Sequence, residues 1–400
     1  MLVLLSDLHL TDTPERSTFQ VTSFERTMLA MLEEPGSRAA EGVRLVLLGD
    51  VFEVLKSRVW LDAGTRPWEA PTELHRATVG KIVDRILAAN SDFFAALGRI
   101  RDAHPRVAVT YVIGNHDWPL NTAMGTGSRV KVRTRLGLAG GDALFPEAHD
   151  DPDHELLAQH GHHWDLANRY RGGAIAIGDA IVIDVVMQLP LVFARHLGVD
   201  PDDPLLRFVH ELDDVIPQTM YSMAEWLAHG LVDLEETAGA HLDAALEEVV
   251  EGLTARVAGY RTESPVDAFW VSALKHLALT YGPVRLALTL PAGASAPPSL
   301  ARHAGVDLED AHRLHGVDYR YIVYGHTHIP DFRSLSTSRG VAYYLNSGTW
   351  RRLHRAVDTT VGPAGRLYAT TIAHSFIIVR HPRERSGGLP GYELRQSYHD

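Results

Sequence analysis

Five short clusters of polar side chains punctuate the chain: Asp7-Leu8-His9, Gly49-Asp50, Gly114-Asn115-His116-Asp117, His160-Gly161-His162 and Gly325-His326-Thr327-His328. Carboxylate, imidazole and amide groups are hard or intermediate donors. A metal held by them suits Mn²⁺, Fe²⁺ or Zn²⁺ better than a soft ion or an all-oxygen calcium cage. The chain has no cysteine, which excludes disulfides, zinc-thiolate clusters and cysteine nucleophiles. The two-residue spacing of Asp7/His9 and of His326/His328 keeps both side chains on one side of an extended segment. Glycines beside Asp50, Asn115, His160 and His326 let the backbone turn sharply or come close to an ion. Singly, each cluster has a bland explanation: Asp-x-His as a solvated turn, Gly-Asp as a common turn dipeptide. All five in order, each after an apolar run, leave that explanation little room.

The elements that must position these clusters are short apolar runs at Leu2–Leu5, Arg44–Leu48, Val107–Ile113, Leu156–His160, Ile175–Val185, Tyr319–Tyr324 and Val341–Leu345. They read as mostly buried strands. Helical patterns at Ser23–Glu34 and Glu73–Arg101 lie between the early ones, so the first third alternates strand and helix as parallel strands with crossovers do. In such a sheet the loops at the carboxyl ends of strands converge on one edge, where groups distant in sequence can meet. Leu367–Arg380 and the tail after Gly388 read as closing strands. From Val186 to Gly316 the character turns helical, at Met223–Leu234, Ala240–Val257 and Val266–Leu279. The expected organisation is a core of residues 1–185 plus 317–400 and a helical insertion, 186–316, that packs as a cap or subdomain, with Pro291–Pro298 as an internal loop or hinge.

The order of the five motifs resembles that of the calcineurin-like metallophosphoesterase superfamily: Asp-x-His, Gly-Asp, Gly-Asn-His-Asp/Glu, His, then Gly-His-x-His. Leu345-Asn346-Ser347-Gly348-Thr349 is similar to that family's following strand and turn. The resemblance covers Met1 to about Val185 and Tyr319 to about Arg380. It implies an α/β fold, a four-layer αββα sandwich, here with a large helical insertion that the minimal family core lacks. It also implies a binuclear metal centre in which Asp7, His9 and His328 bind one ion, Asn115, His160 and His326 bind the second, and Asp50 bridges them, manganese being the favoured metal. Two cations roughly 3.5–4 Å apart neutralise phosphate oxygens and make hydroxide available near neutral pH. The implied reaction is hydrolysis of a phosphate ester or pyrophosphate bond. His116 would face the substrate as an acid, Asp117 would orient it and raise its pKa, and His162 could serve as an outer-shell or substrate residue.

The substrate is read no further than a phosphorylated small molecule or nucleotide, with nuclease, phosphodiesterase and nucleoside-diphosphate-sugar pyrophosphatase activities as alternatives within the class. A cap beside the active edge resembles bacterial UDP-diacylglucosamine pyrophosphatases, although His116 stands where that group commonly carries Arg. A non-catalytic scaffold acting through the insertion is the alternative outside the class. The net charge of −12, from 38 Lys and Arg against 50 Asp and Glu, disfavours stable duplex nucleic acid as a partner. The N-terminus, Met-Leu-Val-Leu-Leu-Ser-Asp, has no basic n-region or cleavage site and reads as a core strand, so a cytoplasmic protein is expected. The apolar stretches around Ile181–Val199 and Phe269–Leu290 are interrupted by charges and prolines and do not resemble membrane spans. Phe269, Trp270, Ala273, Leu274, Leu277 and Tyr281 form an amphipathic set that could touch lipid or a partner or, more simply, pack onto the core. Arg129, Lys131, Arg133 and Arg135 alternate with Val130, Val132 and Thr134 and would share one face of a strand, either to attract an anionic substrate or, more simply, as a solvated edge. The His149–His154 run reads as a solvated loop, and Trp164, Asp165, Asn168 and Arg169 as pocket lining or helix-start packing.

Overall fold

The computed structural model describes residues 1–13, 18–170, 176–216, 220–232, 234, 237–258, 300–357, 367–385 and 391–399. The pattern at Val266–Leu279, the amphipathic set from Phe269 to Tyr281 and the Pro291–Pro298 stretch lie outside them. The protein is mixed α/β. Its described strands are β1 (Leu2–Leu5), β2 (Val43–Leu48), β3 (Val107–Val112), β4 (Ala148–Asp151), β5 (Leu156–Gln159), β6 (Val215–Ile216), β7 (Tyr321–Tyr324), β8 (Asp331–Thr337), β9 (Gly340–Asn346), β10 (Arg352–Val357), β11 (Leu367–Val379) and β12 (Tyr392–His399).

The chain divides into two compact units, the first being Met1–Trp164, Ser299–Arg352 and Ile372–Asp400, the second Asp165–Pro298 and Leu353–Thr371. The division differs from the expected bounds of 186 and 316. In the first unit β1, β2 and β3 run parallel, Leu2 opposite Arg44 and Val43 opposite Val107, while β11 lies antiparallel on β1 and β12 on β11. A second mixed sheet sets β5, β7 and β9 parallel, with β4 antiparallel on β5 and β8 on β9. Leu2, Leu4, Val46, Leu48, Val112, Ile377 and Val379 of the first sheet share one core with Leu156, Ala158, Tyr321, Val323 and Leu345 of the second. Strands buried on both faces need apolar side chains at every position, which is why these runs do not alternate. Phe24 of helix Val21–Leu32 meets Phe93 of helix Ser91–Ala103 at 5.4 Å and Trp350 at 5.6 Å.

Helix Ala301–His315 sits in the first unit, not in a separate insertion. Its Ala301, Ala304, Leu308 and Ala311, spaced three and four apart on one face, pack against Ile322, Tyr324, Ala342 and Tyr344. The single helical pattern Glu73–Arg101 is two helices, Glu73–Ala89 and Ser91–Ala103. The break falls at Asn90, whose amide donates to the carbonyls of Thr11 and Ile86 at 2.8 Å. Arg129 to Arg135 form a helix, Ser128–Leu136, where alternate residues do not share a face. Arg129 pairs with Asp142 at 2.8 Å and Lys131 with Asp84 at 2.6 Å, and Arg133 donates to the carbonyls of Ala139, Ala143 and Leu144. Arg129, Lys131 and Arg133 thus make local contacts and do not line one face of a strand.

In the second unit the expected strand Ile175–Val185 is helical from Ile177 on, Ile175 lying outside the described residues: Ile177–Ile181 continues through a π-helical turn, Val182–Val186. A run that is apolar on all sides carries no period by which strand and buried helix can be told apart. The stretch Ile177–Leu197 is the one described helix long and apolar enough to cross a membrane, and 67% of its most apolar window is buried inside the fold. Helix Leu189–Leu197 packs along Ala238–Ala258, and the expected Met223–Leu234 helix is present as Met220–Gly230. Trp226 of that helix stacks on His354 of β10 at 4.3 Å.

Candidate metal centre

All five sequence clusters end strands of the first unit: Asp7 follows β1, Asp50 β2, Asn115 β3, His160 β5 and His326 β7. The parallel run of β1–β2–β3 and of β5–β7 brings their carboxyl ends together. Among the described residues six non-glycines have positive φ, and apart from Glu155 all are sequence-predicted ligands: Asp7 (56°), His9 (46°), Asp50 (50°), His326 (70°) and His328 (58°). The left-handed region is costly for residues with a Cβ and is tolerated where surrounding structure imposes it, most often at functional sites. Close approach at the centre requires glycine at three positions, and at Gly49, φ 81°, a Cβ would meet the His160 imidazole. A Cβ on Gly114 would run into Asp50 Oδ1 and its backbone nitrogen, and one on Gly325 into Ser6 Oγ and Asp7 Oδ2.

Three groups of side chains bring ligand atoms within 4.8 Å of one another and could hold a metal ion: Asp7 with His9 and His328, Asp50 with His160 and His326, and His9 with Asp50 and His116. The hydrogen bonds explain which atoms are left to face inward. Asp7 Oδ2 accepts from the Ser6 hydroxyl and from the His326 N–H at 3.0 Å. Oδ1 is turned toward His328 Nε2 at 3.2 Å and His9 Nε2 at 3.8 Å. His9 Nδ1 is tied to Glu53 Oε2 at 2.6 Å and His160 Nδ1 to the Leu48 carbonyl at 2.9 Å, so each imidazole presents Nε2. Asp50 Oδ1 accepts the His116 N–H at 2.9 Å, while Oδ2 lies 3.1 Å from His160 Nε2 and 3.9 Å from His9 Nε2. One oxygen of Asp50 thus stands between the two histidine groups. Asn115, which precedes His116 in the loop after β3, is buried, 1% exposed.

The donor set fits a cation. Asp7 Oδ1 and His160 Nε2 are buried without a hydrogen-bond partner, and the His9 and His328 Nε2 atoms approach to 3.1 Å, where at most one can carry a proton between them. Outer partners that hold the far nitrogen of a histidine fix its tautomer and leave the near one to ligate. The buried carboxylates favour positive charge between them, which a proton on His160 supplies and a cation would replace. Burial opposes charge on His160, but Asp50 and Asp7 outweigh it and lift the imidazole to about 10. Burial likewise opposes the Asp50 carboxylate, yet His160 and His116 hold it well below the ordinary range. Burial brings His328 down to about 4 against the pull of Asp7, giving a neutral imidazole, the ligating form.

One expected role changes hands. Asp117 does not touch His116: its carboxylate accepts from the Gly114 N–H (2.6 Å), the Val51 N–H (3.0 Å) and the Tyr111 hydroxyl (2.5 Å), and so ties the second and third clusters together. Burial, reinforced by Asp50, pushes it up to about 6. The partner of His116 is Glu53, Oε1 at 2.6 Å from Nδ1. Burial lowers the His116 pKa, and Glu53 and Asp50 more than reverse it. A signal for Glu53 was present in Val51-Phe52-Glu53-Val54-Leu55, where one carboxylate interrupts an apolar run and must find a partner if buried. It is 2% exposed. His162 is buried with its ring 5.5 Å from His160 and 5.8 Å from Trp118. Burial, then the charge of His160, drives its pKa well down. Trp164 donates to Asp307 at 2.9 Å and stacks on His303 at 4.5 Å, so its contacts are with the helix Ala301–His315. The His149–His154 run forms β4 and a turn held by Asp151, which binds His154 Nδ1 at 2.9 Å. Asp165, Asn168 and Arg169 belong to the second unit.

Compared with known proteins, the chain matches no protein-family model and no curated protein. The geometry of the centre is therefore the guide to what it does.

Proposed function

We propose that the chain is a metallophosphoesterase that hydrolyses a phosphate ester or pyrophosphate bond at a two-metal centre. The observation that carries this reading is the pair of buried ligand groups, Asp7–His9–His328 and Asp50–His160–His326, with Asp50 Oδ2 between them. Asn115 completes the second group. Manganese is the favoured ion, with Fe²⁺ or Zn²⁺ as alternatives for this nitrogen and oxygen set. Two core-sharing sheets, with helix Ala301–His315 packed against residues of β7 and β9, support a four-layer αββα arrangement of the first unit.

Two divalent ions bound here would neutralise phosphate oxygens and make hydroxide available near neutral pH. The chain's own residues do the rest. Asp50 carries the shared charge between the halves and orients the loop of His116 through the 2.9 Å bond to its N–H. Glu53 holds His116 Nδ1 and favours the imidazolium. Nε2 is thereby left to face the substrate, stabilise charge on the phosphoryl oxygens and hand a proton to the departing oxygen. A single carboxylate thus steadies both the acid and the ligand His9.

The test is hydrolysis of aryl phosphate mono- and diesters, nucleotides, nucleoside-diphosphate sugars and single-stranded DNA by purified protein supplied with Mn²⁺. Asp50→Asn and His116→Ala are each expected to cut the rate at least about tenfold, Asp50→Asn together with metal content and His116→Ala without it. Protein that carries two ions yet turns over nothing on the panel would count against the reading, in favour of a scaffold.

A further inference from the structure

Asp307 lies on helix Ala301–His315, outside every polar cluster that marks the centre, yet a single oxygen of its carboxylate gathers four donors. Oδ2 accepts from the Tyr324 hydroxyl, Gln159 Nε2, Trp164 Nε1 at 2.9 Å and His163 Nε2 at 3.2 Å. Three of these residues bracket His160: Gln159 precedes it, and His163 and Trp164 follow it. Tyr324 stands two residues before His326 at the end of β7. The same two loops are tied by the Gly325 N–H donating to the His160 carbonyl at 3.0 Å.

We propose that Asp307 is a positioning residue for the Asn115–His160–His326 half of the metal centre. This rests on the two-metal reading above. Reaching from one helix, a carboxylate only 14% exposed clamps both loops that deliver the imidazoles of that half. Hydrogen bonds to an ionised acceptor are about twice as strong as neutral ones, so the four donors lose their alternative rotamers together. The helix is a firm base for the clamp, since its apolar face packs on Tyr324 and Tyr344 and its His303 stacks on Trp164, the ring planes 11° apart. The other half shares only the His326 loop, which carries His328 and whose His326 N–H reaches Asp7; its remaining supports lie elsewhere, Ser6 holding Asp7 and Glu53 holding His9. Loss of Asp307 therefore acts more strongly on the ion whose two imidazoles, His160 and His326, both hang from the clamped loops.

The experiment is calorimetric titration of the metal-stripped full-length protein with Mn²⁺, paired with electron paramagnetic resonance to distinguish a spin-coupled ion pair from single ions. Asp307→Asn keeps the shape and one acceptor but loses the charge. It is expected to weaken the second ion by at least about tenfold, the usual effect of losing an outer partner, and to leave the first within about twofold. The coupled signal should give way to that of a single ion at intermediate Mn²⁺, with circular dichroism unchanged. Tyr324→Phe, which removes one donor without touching the helix, should weaken the second ion in the same selective way by a smaller factor. If Asp307→Asn folds and binds both ions as the wild type does, or weakens both alike, the proposal is overturned. Should that variant fail to fold, an unchanged second-ion affinity in Tyr324→Phe overturns it. Wild-type protein that takes up no ion overturns the two-metal reading itself, a result distinct from either of these.

Discussion

Glu53 is a buried carboxylate between His9 Nδ1 and His116 Nδ1, each at 2.6 Å, with Lys56 Nζ at 3.3 Å. An amide in its place offers one acceptor where two imidazole N–H groups need one each. Glu53→Gln should therefore lower the hydrolytic rate by about 10–100-fold, the range seen when an outer partner is lost, read from steady-state kinetics at saturating metal. Asp117 behaves differently because its partners are the backbone of two loops and a tyrosine. Asp117→Asn leaves a buried donor unmet and should cost about 1–3 kcal/mol, read as a lower denaturation midpoint. A variant that kept full stability and lost only rate would return Asp117 to the orienting role its place beside His116 suggests. The ligand types were legible from residue identity, whereas the choice between two nearby carboxylates was not. Glu53 lies three residues beyond Asp50 and Asp117 directly follows His116 in its own cluster, and only the path of the loops decides which one reaches the imidazole.

At the scale of elements, the centre depends on strand ends that approach more closely than side chains allow. Gly114→Ala places a Cβ on Asp50, and metal uptake should fall by at least about tenfold. Gly64, with φ of 68° and open space around it, is the control. Gly64→Ala should cost about 1 kcal/mol of stability from backbone strain and leave metal uptake unchanged. Elemental analysis of both variants checks the contrast. Strands β1, β2, β3, β5, β7 and β9 could be read from their apolar runs because each is short and ends at polar or turn residues. The same reasoning misassigned Ile175–Val185, where an apolar run belongs to a helix extending to Leu197. It also turned Arg129–Arg135 into a strand, since alternation over so few residues competes poorly with the contacts of helix Ser128–Leu136.

For the whole molecule, every candidate ligand lies in the first unit, so binding couples to the stability of that unit by mass action. Mn²⁺ at a hundredfold excess over its dissociation constant should add about 2.7 kcal/mol per site, seen as a rise in the thermal midpoint that Asp50→Asn abolishes. A wild-type midpoint indifferent to Mn²⁺ would contradict the metal centre. The residue types, their order after apolar runs and the α/β class were determined by sequence alone, because side-chain chemistry, strand period and glycine-bearing turns are local properties. The tertiary structure decided the rest: that His9 meets His328 across 319 residues, that one oxygen of Asp50 stands between two histidine groups, and that helix Ala301–His315 packs on the sheet and brings Asp307 to the loops of His160 and His326. These are non-local pairings. Sheet register and helix packing create them, and no periodicity along the chain encodes which distant partner a buried side chain will find.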